Sequence, residues 1–246
     1  DFLIKAIQDK EMEFGRIELQ DVTSQFGVFA IAGPNSRAIL SDLVRHPEPE
    51  TVFSNKNFPW LSAKSIELGM CPVNAIRVAY TGELGWELHH PIEMQNYLFD
   101  QLENSGQKHG MKLVGARAQN WLRQEKSYRA FGTELGRDAT PLEAGLDRFV
   151  DLSKDFFGKD QMIKHGIKSK CVTLLIDGPK DADPWGREAL YLDKKRIGRL
   201  TSGGYSVEFN KSIGMSYITP EFANVGQALK VKMFDELWNA VVVEDS

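Results

Sequence analysis

Apolar and polar residues follow two regimes along this chain, and the change from one to the other divides it. In the first two thirds, helical spacings alternate with strand-like runs. Phe2, Leu3, Ala6 and Ile7 recur as one face of a helix ending over residues 1–14. Val28 to Ile31 is an unbroken apolar run and predicts a buried strand. Gly33-Pro34-Asn35-Ser36 opens a helix to about His46, whose apolar side holds Ile39, Leu40, Leu43 and Val44. Proline is tolerated in that first turn because its missing N–H has no helical partner there. Residues 47–73 are mixed and rich in turns. Ala75 to Tyr80 alternates as a strand, Thr81 to Gly85 makes a turn, and Trp86 to His90 is a second strand that Pro91 ends. A helix to about Ser105 carries Met94, Tyr97, Leu98 and Leu102, and another over Ala116 to Lys126 buries Ala118, Trp121 and Leu122, with Tyr128 beyond it. Residues 129–145 form a long glycine-containing loop, a length that in compact domains tends to accompany function. A short strand at Phe149-Val150 and a helix from Lys159 to Lys164 follow.

Beyond Lys170 the helical spacing disappears. Cys171 to Ile176, Ala189 to Leu192, Lys195 to Leu200, Ile213 to Ile218, Ala228 to Met233 and Trp238 to Val243 all read as strands. Asp177-Gly178 and Gly203-Gly204 read as turns between them. Many short strands in so little chain predict a small β-barrel or sandwich. The expected division is therefore residues 1–167, an α/β region, and residues 168–246, a C-terminal barrel domain.

Composition narrows the function classes. The chain has 246 residues, 42% hydrophobic and 26% charged, so it can fold around a substantial core. A formal net charge of -4 gives no electrostatic reason to bind nucleic acid or an anionic membrane. Apolar runs such as Val28 to Ala32 are far too short to span a bilayer, and no secretory pattern is present. Cys71 and Cys171 lie outside any C-x-x-C pattern and read as thiols in a reducing compartment, the cytoplasm or, in a eukaryote, the mitochondrial matrix. The chain opens on Asp1 in the middle of a helical pattern, which reads as part of a longer polypeptide.

No G-x-S-x-G elbow, Walker loop or G-x-G-x-x-G fingerprint is present, and no histidine or cysteine pair has metal-ligand spacing. The informative segment is Tyr80 to Leu88. Glu87 lies between Trp86 and Leu88, so if those two face the core, Glu87 points to the other side of the sheet. There it is either a solvated strand carboxylate or a ligand anchor. A carboxylate can accept two adjacent N–H groups of a pterin ring at once, and aromatic side chains can cover the ring faces.

Several segments resemble, in order, the motifs of the glycine-cleavage T-protein (aminomethyltransferase) family. Tyr80-Thr81-Gly82-Glu83-Leu84-Gly85-Trp86-Glu87 is similar to its Y-T-G-E-x-G-x-E hairpin, and Leu122-Arg123-Gln124-Glu125 to its L-R-x-E helix. Thr140 to Leu146 resembles its T-P-x-E-x-G-L loop, and Gly198 to Gly203 its G-x-x-T-S-G turn. Asp21-Val22-Thr23, Ala32-Gly33-Pro34 and Phe157-Gly158-Lys159 also match. The G-E-L-G-W-E-L form of the hairpin, with Arg129-Ala130-Phe131-Gly132, looks most like the C-terminal folate domain of dimethylglycine and sarcosine dehydrogenases.

The resemblance implies an α+β fold: a partial aminomethyltransferase cloverleaf of ferredoxin-like α/β lobes, missing its N-terminal part, with a C-terminal β-barrel. It implies tetrahydrofolate as cofactor, with Glu87 holding the pterin and Tyr80 and Tyr128 contacting the folate. A plain five-residue turn pairs Tyr80 with Trp86 and turns Glu87 away, so sharing one ligand requires a longer or bulged connection. The implied function is acceptance of a one-carbon unit from oxidative demethylation of a methylated glycine, giving 5,10-methylene-tetrahydrofolate. The alternatives are a glycine-cleavage aminomethyltransferase or a non-catalytic folate-binding fragment. FAD is implied only if an oxidase or dehydrogenase domain precedes Asp1, and that flavin domain is then the partner besides folate. Two features depart from the T-protein pattern. Gln119 occupies the place of a second arginine four residues before Arg123, which argues against a glycine-cleavage enzyme. The family's catalytic aspartate falls upstream of Asp21-Val22-Thr23, so no catalytic residue is assigned here. A relative active in iron–sulfur assembly carries a cysteine where this chain has Asp155, which disfavours that function.

Overall fold

The computed structural model describes residues 4–7, 17–179 and 182–245. Residues 4–7 are helical, and the rest of the helix expected over 1–14 lies outside the described residues. The chain forms two compact units, one of residues up to 79 together with 83–112, the other of 80–82 together with 113–246.

The first unit is a four-stranded antiparallel sheet with helices. Its strands are β1 (Phe26–Ala32), β2 (Ala63–Leu68), β3 (Cys71–Ile76) and β4 (Gly85–Pro91), in the order β1-β4-β3-β2. Helix α1 (Ser36–Leu43), the short α2 (Pro49–Val52) and α3 (Gln95–Lys108) complete it. The strand period of two sends Leu68, Val73, Ala75, Trp86 and Leu88 into one core, where they join Ile39 and Leu40 of α1 and Leu98 and Leu102 of α3. Trp86 meets Phe53 and Phe58 edge-on, with ring centroids 5.4 and 6.1 Å away, and the Arg77 guanidinium lies 5.8 Å from the Trp86 ring. Each such fully buried large side chain contributes roughly 1.5–3 kcal/mol.

Two local outcomes differ from the sequence pattern. Strand β2 and most of β3 fall inside the stretch that carried no predicted element. Strand β2 is the edge strand, met on its outer side by an isolated bridge from Val44 to Leu68, and it exposes Ala63, Ser65 and Glu67, so its apolar face is short. The strand expected to reach Tyr80 ends at Ile76. There the Val78 N–H turns back to the Ile76 carbonyl at 3.0 Å, and the Arg77 N–H donates to Ser62 at 2.9 Å. Glu87 therefore pairs with Ile76, and residues 77–86 intervene as a long connection rather than a tight turn.

The second unit is built on a barrel. Strands β5 (Lys170–Ile176), β6 (Ala189–Leu192), β7 (Lys195–Ser206), β8 (Lys211–Ile218), β9 (Ala228–Met233) and β10 (Glu236–Val243) close in the order β10-β5-β8-β7-β6-β9. Leu174, Ile176, Leu190, Leu200, Val231 and Val242 fill its interior. Closure removes free edges, which suits six strands too short to protect themselves otherwise. Gly203 and Gly204 lie inside β7 rather than in a turn. A Cβ on Gly203 would come within 2.7 Å of the Pro184 backbone, and one on Gly204 would overlap the Trp121 ring. These glycines permit close approach, which a sequence pattern cannot distinguish from a turn signal. Helix α4 (Ala116–Glu125), the 129–145 loop and helix α5 (Lys159–His165) belong to the same unit. At Phe149-Val150 the chain makes a short 3-10 turn, Asp147–Phe149, instead of the expected strand. The fold is α+β: an antiparallel sheet with helices, then a closed six-stranded barrel.

Candidate functional site

Strand β4 presents its core residues and Glu87 on opposite faces. Trp86 and Leu88 are fully buried, while the Glu87 side chain keeps 38% of its surface exposed. Its polar neighbour is His89, two residues along the same face, with Nε2 3.4 Å from Oε2. That distance is at the weak end for a hydrogen bond. Glu87 thus keeps most of its acceptor capacity free among the described residues, on a face shared with Ala30 and Ile76, its cross-strand neighbours.

Tyr80 and Tyr128 belong to the other unit. They are 40% and 36% exposed, and neither hydroxyl has a hydrogen-bond partner among the described residues. The segment carrying Tyr80 runs against the end of α4. Gly82 (φ +73°) lies so close to Lys126 that a Cβ there would meet its Cγ at 2.6 Å. The two tyrosines therefore sit on adjacent segments of one unit, and Glu87 is carried by the other unit.

Helix α4 buries polar residues instead of the expected Trp121 and Leu122, which are only partly covered. The Arg123 and Glu134 side chains are fully buried and joined by a 2.8 Å bond from Nη1 to Oε2. Arg123 also donates to the Tyr128 carbonyl at 2.8 Å, to Ser202 Oγ at 2.6 Å and to Asn120 Oδ1 at 2.8 and 2.9 Å. Glu134 accepts from the Ala130 N–H and from the hydroxyls of Thr133, Thr201 and Ser202. Burial pushes the Glu134 carboxyl up, but the Arg123 charge and the Ser202 and Thr201 hydroxyls outweigh it and hold the group below the usual carboxylate range. Every strong donor and acceptor in the pair is occupied, so the cluster clamps α4 and the 129–145 loop onto β7. Arg123 meets the glycine-containing loop through Glu134. Glu125 accepts from Ser206 Oγ at 2.6 Å, on β7.

Glu143 is a second saturated carboxylate. It accepts from the N–H groups of Thr140, Lys168 and Ser169 and from the Thr140 and Ser169 hydroxyls. Burial opposes ionisation, but those N–H groups win, and the carboxyl is held at about 2. Its bonds from the Thr140 N–H and hydroxyl cap the turn that begins there. The reach to residues 168 and 169 gave no sequence signal. Glu134 was missed altogether, although a buried helix arginine needs a carboxylate partner and the adjacent loop offers this one.

Among the described residues, no group of His, Cys, Asp and Glu side chains could hold a metal, and no helix is long and apolar enough to cross a membrane.

Comparison with known proteins assigns both halves of the chain. Residues 2–154 match the GCVT N-terminal domain, and residues 170–246 match the glycine cleavage T-protein C-terminal barrel domain. The chain is 39% identical to human mitochondrial dimethylglycine dehydrogenase over 98% of its own length and 28% of that protein's. It is 32% identical to the aminomethyltransferase of Caldanaerobacter subterraneus, covering 93% of this chain and 60% of that one. Mouse mitochondrial sarcosine dehydrogenase is 31% identical, covering 87% of this chain and 23% of that one. The chain thus spans about a quarter of the dehydrogenases it matches. The crystal structure of the glycine cleavage system aminomethyltransferase T from Bartonella henselae superposes with a TM-score of 0.75, covering 89% of this chain and 58% of that one at 21% identity, which speaks to the fold. With sheet, barrel and saturated clamp in place and family models matching residues 2–154 and 170–246, this chain belongs to the glycine-cleavage T-protein family.

Proposed function

We propose that this chain binds tetrahydrofolate, with Glu87 accepting the paired N–H donors at the edge of the pterin and Tyr80 and Tyr128 contacting the folate. The observation that carries this reading is the contrast in hydrogen bonding. Glu134 and Glu143 are saturated by the protein, whereas Glu87 has one weak neighbour and both tyrosine hydroxyls have none among the described residues. These residues fit the ligand's chemistry: an ionised acceptor for a bidentate donor pair, and aromatic surface for a flat ring. Bound tetrahydrofolate would supply the nitrogens that take up a one-carbon unit. The chain's own part is to hold and orient the folate and to keep water from the reacting atoms.

The donor in this reading is a methylated glycine under oxidation, and the product is 5,10-methylene-tetrahydrofolate. Support comes from the 39% identity to a dimethylglycine dehydrogenase and from Gln119, which replaces an arginine of the T-protein pattern. The oxidation would need a flavin domain as partner. A glycine-cleavage aminomethyltransferase is the second reading, favoured by 32% identity over 60% of such an enzyme. The dehydrogenase relatives are named mitochondrial, which supports the matrix as the location if the source is eukaryotic. We also keep a module division near residue 168, supported by family models that end at 154 and resume at 170.

Titration of the chain with folinic acid, followed by tryptophan fluorescence, tests the reading. Saturable binding that is lost in Glu87→Gln is expected. No saturation at millimolar ligand would overturn it.

A further inference from the structure

We propose that the cavity between the 132–139 loop and strand β7 is a binding site for a small molecule bearing two or more carboxylates, separate from the residues assigned to folate. The cavity measures about 530 Å³, and Gly136, Asp138, Ala139, Arg196, Arg199 and Tyr217 contribute to its lining. That volume lies in the range of small-molecule sites. All of these residues belong to the barrel unit.

Two features give the cavity its chemistry. The first is a pair of arginines placed by a defect in the sheet. Tyr191 pairs with Arg196 but Leu190 pairs with Gly198, so Ile197 is an extra residue in β7. In a regular strand, residues 196 and 199 would point to opposite faces; one inserted residue returns them to the same side. Both line the cavity, and neither guanidinium has an ion-pair partner among the described residues. The second feature is the loop. The N–H groups of Gly136, Arg137, Asp138 and Ala139 have no hydrogen-bond partner among the described residues, although three of these residues line the cavity.

The rest of the wall is already committed. Thr201 donates to Glu134, Tyr217 donates to the Glu134 carbonyl at 2.9 Å, and the Glu134 charge is compensated by Arg123. Asp138 is the opposing carboxylate. It has no ion-pair partner among the described residues and lowers the attraction without cancelling two cations. Two guanidinium groups on separate backbone positions ask for two separate anionic groups rather than one compact ion. Arginine's planar fork matches each carboxylate. A free di- or tricarboxylate and the γ-linked glutamyl chain of a folate share this chemistry.

Calorimetric titration of the full chain with citrate, with tri-γ-glutamate and with inorganic phosphate, at an ionic strength of about 0.15 M where exposed charges are screened, tests the site. One-to-one saturable binding of citrate or tri-γ-glutamate is expected, with phosphate weaker. The tighter of the two identifies the source. The double variant Arg196→Ser/Arg199→Ser should weaken binding by roughly tenfold to a hundredfold, the effect of losing charge-assisted hydrogen bonds, with the thermal midpoint unchanged because both side chains are exposed. Asp138→Asn should tighten it. Lys194→Ser/Lys195→Ser, on the same hairpin but outside the cavity lining, should leave it within about twofold, because exposed charges contribute little at this salt. Failure of both polycarboxylates to saturate, phosphate binding as tightly as either, or equal loss from the lysine and arginine variants would each overturn the proposal. These outcomes do not depend on Glu87, so a failed folate titration leaves this test intact.

Discussion

Glu134 in the barrel unit and Glu87 in the sheet unit are both carboxylates in ordered, well-packed surroundings, yet the protein treats them differently. Glu134 is fully enclosed and satisfied by one guanidinium, one N–H and three hydroxyls. Glu87 is placed just as firmly by the burial of Trp86 and Leu88 on either side, but its head group is left almost unpartnered. A buried charge without partners would be unaffordable, so Glu134 had to be saturated, and saturation makes it structural. A half-exposed carboxylate held in a fixed position at little desolvation cost is available to a ligand. The number of partners that the protein itself supplies therefore separates the two carboxylates better than burial or charge alone.

The comparison can be broken most sharply at Arg123. Arg123→Met leaves Glu134 buried and uncompensated, and should lower unfolding stability by about 3–5 kcal/mol in urea denaturation. Adding Glu134→Leu should restore part of the loss, because the stranded charge is gone. A single Arg123→Met variant as stable as wild type would show that the cluster is not a clamp.

Glu143→Gln should cost about 3 kcal/mol, since the amide presents a donor to N–H groups and hydroxyls that need an acceptor. It also carries a pH signature. The Glu143 carboxyl is held at about 2 in the fold against an ordinary 4.5, so its stabilisation is complete above pH 4.5 and is lost as pH falls towards 2. Acid unfolding of the wild type should therefore be steeper across that window than that of the variant. Parallel curves would remove Glu143 from the account.

Glu87→Gln should weaken folinic acid binding by roughly tenfold to a hundredfold, about 1.5–3 kcal/mol, while stability changes by no more than about 0.5 kcal/mol. This split is the reverse of that expected for Arg123 and Glu143. A stability loss without an affinity loss would make Glu87 a structural residue and end the contrast.

The smallest expected effect is that of Glu83→Gln. Glu83 is exposed in the connection before β4, so both its affinity and its stability should stay near wild type, within about 0.5 kcal/mol. Equal loss at residues 83 and 87 in the binding titration would mean that the ligand-facing carboxylate has been misassigned.

The sequence by itself determined the elements whose signal is local. The apolar faces of α1 and α3, the alternation through Trp86, Glu87 and Leu88, and the six barrel strands all follow from periodicity, because a side chain's face is set by its own backbone. The ordered family motifs carried the fold class further than periodicity could. What the sequence did not determine was partner choice across long separations. Nothing near Arg123 announces that Glu134 and Ser202 will share its guanidinium, and nothing near Glu143 announces the N–H groups of Lys168 and Ser169. Strand β3 ends at Ile76 because Val78 turns back on it, and Gly203-Gly204 stays within a strand because Pro184 and Trp121 press against it. Hydrogen bonds and close packing depend on three-dimensional neighbours, so only the tertiary structure decided that Glu134 and Glu143 are consumed by the fold while Glu87 keeps most of its acceptor capacity.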